Sequence, residues 1–93
     1  TFLHSAAEKG DIAAARTFIE LGADIEAVEL EFGSTPLGSA ARKGQQEMVE
    51  LLLAQGADAR ARADAPWGQA LAQAEKAGYK EVGARIKQHL ARP

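Results

Sequence analysis

STPLGSAARKG, residues 34–44, sets a threonine and a proline before small residues, two cations and a glycine, and TFLHSAAEKG, residues 1–10, follows the same plan. Aligned, Leu3 falls on Leu37, Ala6 and Ala7 on Ala40 and Ala41, and Gly10 on Gly44, a constant shift of 34 residues. The shift continues: Gly22-Ala23-Asp24 lands on Gly56-Ala57-Asp58, and Gly44 leads to Gly78. Periods of about 20–50 residues mark solenoids, in which each unit buries its apolar face only against its neighbours. The fold of this chain is therefore the fold of one unit, repeated.

Within the second copy, Thr35 is placed to cap a helix and Pro36 to occupy its first position, where a missing N–H costs nothing. Gly44 supplies a left-handed stop after about two turns. QQEMVELLLAQ, residues 45–55, then spaces Met48, Val49, Leu51, Leu52 and Leu53 as a second helix that ends at Gly56. The pattern fades in ADARARADAPWG, residues 57–68, where Asp58, Pro66 and Gly68 are turn formers and arginines alternate with alanines, as suits an extended, hairpin-like finger. The unit reads as helix, tight turn, helix, finger.

These residues resemble the ankyrin repeat, whose signature is T-P-L-H-x-A-A-x-x-G followed by G-A-D. The first copy keeps Thr1, Leu3, His4, Ala6, Ala7, Gly10, Gly22, Ala23 and Asp24, with Phe2 where proline would stand. The third keeps Leu71, Ala74, Gly78 and Val82 but loses Thr, Pro and the closing Gly-Ala-Asp, and Val82, Ile86 and Leu90 leave a polar outer face suited to a cap. The resemblance implies an all-α solenoid of stacked helix-turn-helix units joined by finger-like β-hairpin loops. It divides a single domain into repeat 1 (1–28), repeat 2 (29–62) and a C-terminal capping repeat (63–93). Measured from Asp24 to Thr35 and from Asp58 to Gln69, both fingers are one residue longer than is usual in the family, so a bulge or a wider tip is expected.

The 93 residues bound the chain to one small domain, and a net charge of -2 provides no basic field for nucleic acid or anionic lipid. Without cysteine there are no disulfides, thiol nucleophiles or thiolate metal sites. No run matches a spanning helix or a signal peptide, and the expected setting is soluble and cytoplasmic. The first residue lies inside the repeat motif, which reads as a trimmed or processed start. The expected state is a monomer, with Phe2, Leu3 and Ile12 as the face for self-association if the stack is severed.

Chemistry finds little support. GSTPLGSA, residues 33–40, has the glycine spacing of a phosphate loop but Ser39 where lysine is required. His4 and His89 have no carboxylate at ligand spacing, and His4 matches the family position whose imidazole braces neighbouring loops. Gly38 replaces it in the second copy, which weakens that brace. Glu26, Glu29 and Glu31 lack the ligand pattern of a calcium loop. No catalytic residue, metal or cofactor is expected.

The expected activity is binding to another protein, as adaptor, inhibitor or scaffold. One rim would be formed by finger residues: the acidic Glu26, Glu29 and Glu31, the apolar Val28, Leu30 and Phe32, and Arg60, Arg62, Asp64 and Trp67 of the second finger. Trp67, between Pro66 and Gly68, is expected to fold back on the body. The positions before each turn glycine face the concave groove in ankyrin arrays, which offers Glu8, Lys9, Arg42, Lys43 and Lys76 as its floor. The 34-residue shift also sets Glu26 on Arg60, so either an ion pair joins the fingers or the rim is bipolar. The competing role is a structural or regulatory segment of a longer polypeptide.

Overall fold

The computed structural model describes residues 1–62 and 65–91. Among them the chain forms three pairs of helices: α1 (Phe2–Lys9) with α2 (Ile12–Glu20), α3 (Pro36–Arg42) with α4 (Gln46–Ala54), and α5 (Ala70–Ala77) with α6 (Lys80–Leu90). A single 3₁₀ turn, Pro66–Gly68, precedes α5. Helices α1, α3 and α5 lie side by side as an inner row, with α2, α4 and α6 behind them. No described helix is long and apolar enough to cross a membrane.

The stops fall where the glycines put them. Gly10, Gly44 and Gly78 take φ values of 71°, 69° and 82°. The N–H that follows each reaches back to the carbonyls of Ala6, Ala40 and Ala74 at 3.0, 2.9 and 3.0 Å, closing the same left-handed cap three times. At the other end of the inner helices, Thr1 Oγ1 accepts from His4 N–H at 3.2 Å and Thr35 Oγ1 from Gly38 N–H at 3.4 Å, with Pro36 in the first turn. Gln69, the counterpart in the third unit, makes no side-chain cap.

Alanines set the spacing of the inner row. Ala6, Ala7, Ala40, Ala41 and Ala74 are all buried, and such small side chains let neighbouring helices approach closely. Leu3 and Leu37 fill equivalent buried positions beneath them, with Met48, Val49 and Leu52 of α4 and Ile86 of α6 behind. Leu71, the third equivalent, is only half-buried. Every residue of α3 except Arg42 is buried, because α3 alone has an inner helix on both sides.

Each unit also grips the next through polar groups. The Thr1 hydroxyl donates to His4 Nδ1 at 2.7 Å, which leaves Nε2–H to donate to the Ser34 carbonyl at 2.9 Å, so His4 is the expected brace. Where Gly38 replaces it, backbone proximity takes over: a Cβ at Gly38 would lie 3.3 Å from the Gly68 carbonyl oxygen, and one at Gly68 would lie 2.5 Å from the Gly33 carbonyl oxygen. The finger bases therefore meet chain against chain. Gln45 donates to the Glu8 carbonyl at 2.8 Å, and on the outer row Arg85 Nε lies 2.8 Å from both oxygens of Glu50.

The fingers are turns and not ladders, for no strand forms among the described residues. In the first, Glu29 N–H donates to the Ser34 carbonyl at 3.0 Å and Gly33 N–H to the Glu29 carbonyl at 3.1 Å. The second bond spans one residue more than a β-turn, and Gly33, at φ 64°, and Ser34 together face Glu29 as a bulge. The extra residue is thus absorbed in a wider tip.

Candidate functional site

Glu29 holds that tip from within. Its Oε1 accepts from Phe32 N–H at 2.9 Å, Ser34 N–H at 3.2 Å and the Ser34 hydroxyl at 3.1 Å, and its Oε2 from Glu31 N–H at 2.9 Å. Burial pushes the carboxyl pKa up, but the hydrogen bonds from Ser34, Phe32 and Glu31 outweigh it and leave the pKa below the ordinary glutamate value. With its oxygens turned inward, Glu29 is a strut, and the two residues after it are thrown outward: Leu30 is fully exposed and Glu31 exposed.

Trp67 stands in the 3₁₀ turn with its indole nitrogen beside Gly33 of the first finger, and with 69% of its surface exposed, contrary to the expectation that it folds back. Gln73, buried on α5, donates to the Trp67 carbonyl at 2.8 Å and pins the backbone of the turn, while the indole stays mostly in solvent. Between the two fingers and α5 lies an open cleft of about 710 Å³, lined by Leu30, Phe32, Trp67, Ala72, Lys76 and Ala77 among others. Phe32 forms one wall, its ring covered by the Arg42 guanidinium at 3.8 Å from the ring centre.

Six of the expected site residues, Leu30, Glu31, Phe32, Arg42, Trp67 and Lys76, line this cleft. Lys9 and Lys43 are exposed on the same inner row, and Val28 and Arg60 are exposed on the fingers. Glu8 and Arg42, expected to be open to contact, are bound to each other in an ion pair across the first two units. Glu26 does not reach Arg60: its Oε2 accepts from Asp58 N–H at 2.8 Å, while Arg60 donates to the Leu90 carbonyl at 2.7 Å. Arg62 is half-buried against the finger bases, at φ 71°, and not at the rim. Asp64 lies outside the described residues.

Sequence reading did not single out Ala72, Gln73 and Ala77. Their signal was present: Ala72 and Gln73 stand four and three residues before Lys76, and Ala77 stands four after Gln73, the spacings of neighbours on a helix surface. The ion pair was legible too, since the shift that sets Glu26 on Arg60 also sets Glu8 on Arg42, in rigid neighbouring helices where opposite charges must meet. Among the described residues no cluster of His, Asp and Glu could hold a metal ion.

A family description of ankyrin repeats in three copies matches residues 1–85. The chain belongs to the ankyrin-repeat family. Similar ankyrin segments occur in larger proteins. The mouse (Mus musculus) 2-5A-dependent ribonuclease is 43% identical over 56 residues, 60% of this chain and 8% of that protein. The mouse B-cell lymphoma 3 protein homolog is 40% identical over 62 residues, 67% of this chain and 14% of that protein. The chain thus spans a small part of the length of these relatives, and what it shares with them is an ankyrin stretch.

Proposed function

We propose that this ankyrin array binds another protein in the cleft between its fingers and α5. The observation that carries the reading is the exposure of Leu30 and Trp67, both lining the cleft, each on a backbone held by its own hydrogen bonds. Large apolar side chains are costly to leave in water, and aromatic residues in open pockets are the usual anchors of protein interfaces. Because the fingers are braced at their bases, little ordering entropy is lost on association. No residue is assigned a chemical step.

The test compares proteins captured from native lysate by the wild type, by a Leu30→Ser, Trp67→Ala double variant and by Lys80→Ala, which alters α6. The reading expects the captured set to be lost with the double variant alone. Equal capture by all three would sink it. A second reading, that the array stacks within a longer ankyrin protein, is favoured by Phe2, 79% exposed and stacked on Phe18 at 5.7 Å, with Leu21 exposed beside a shallow recess of about 350 Å³. The two readings concern different faces and are compatible.

A further inference from the structure

The charges around the cleft indicate its occupant. Three inner-row cations, Lys9, Lys43 and Lys76, are exposed and form no ion pair among the described residues. The two carboxylates on that row are already paired, Glu8 with Arg42 and Glu75 with Lys87 of α6 at 3.5 Å, and Arg42 is committed to Glu8 and to the Phe32 ring. Glu29, on the finger facing the row, has both oxygens engaged by the tip, so Glu31 is the acidic group left at the cleft mouth. A molecule of net charge -2 therefore presents its concave side as positive. Cations at helix C-termini complement the helix dipole, but that role leaves exposed ammonium groups free to meet a second charge.

Resting on the binding role proposed above, we infer that the occupant is an acidic peptide segment of a partner protein. One large apolar side chain enters between Leu30, Phe32 and Trp67, and flanking carboxylates lie toward Lys43 and Lys76. The apolar walls account for the anchor and the unpaired lysines for the flanks. A basic segment would meet like charge along the row, and an uncharged one would leave the lysines unanswered.

Selection of binders from a random peptide library displayed on phage tests this, because Trp67 is the sole tryptophan and its emission reports occupancy of the cleft. The expected pool is enriched in Asp and Glu around a Leu, Phe, Met or Trp. Tyrosine- and tryptophan-free synthetic versions of the binders should shift Trp67 emission. Their affinity should fall roughly tenfold in a Lys43→Glu, Lys76→Glu variant, and should weaken with added salt. Peptides that shift Trp67 emission but carry no acidic bias, or bind the charge-reversed variant equally, would overturn the acidic-segment inference and leave the binding role standing. A pool with no binders, or binders that leave Trp67 emission unchanged, would overturn both. A concentration-dependent emission shift with dimer mass in light scattering would give the cleft to a second copy of the chain, and would also overturn the inference.

Discussion

Glu29 concentrates more of the local order than any other side chain of the first finger. Its lowered pKa means that the folded tip binds the ionised carboxylate in preference to the acid. The stabilisation is complete above the ordinary glutamate value of 4.5 and is lost as pH falls through the lowered folded value. Glu29→Gln removes two of the acceptor lone-pair sites that the four donors share, so at neutral pH the Phe32 and Ser34 amides should exchange faster with solvent while the helices keep their protection. Acidification of the wild type through that range should raise its tip exchange, relative to the intrinsic acid-dependent rate, toward that of the variant, which does not titrate. A gap between the two proteins that stays constant from neutral pH down to strongly acidic pH would contradict the assignment.

At the level of helices and turns, what could be read in advance followed chemical locality. Thr35, Pro36 and Gly44 act on the backbone within one turn of themselves, and the helix they delimit is the helix that forms. Charges on the fingers were harder, because the partner a long side chain takes depends on which backbone groups lie unpaired beside it: Glu26 took the Asp58 N–H and Arg60 the Leu90 carbonyl. Trp67 shows the same limit, the backbone of its turn being pinned by Gln73 from the next helix. The Glu8–Arg42 pair joins α1 to α3 with the glutamate partly exposed, so a double-mutant cycle with alanine at both positions should give a coupling of no more than about 1 kcal/mol. Arg42→Ala should cost slightly more than Glu8→Ala, since it also uncovers Phe32. Equal costs in urea unfolding would rule out a contribution from the ring.

Taken whole, the molecule is a row of three units in which the middle one carries the burial. Leu37→Ala opens a void at the centre of that row and should cost about 2–5 kcal/mol, a large share of the stability of so small a chain. Urea transitions followed by far-ultraviolet circular dichroism and by Trp67 emission in the third unit should coincide and move together in the variant. Separate transitions would mean that the units melt independently. The braced finger has a consequence for redesign as well. Residues 30 and 31 project from a frame made of Glu29, Gly33 and Ser34, so the two can be rewritten as a cassette while the frame holds its shape, and new specificities could be written into this scaffold without disturbing a single packed helix.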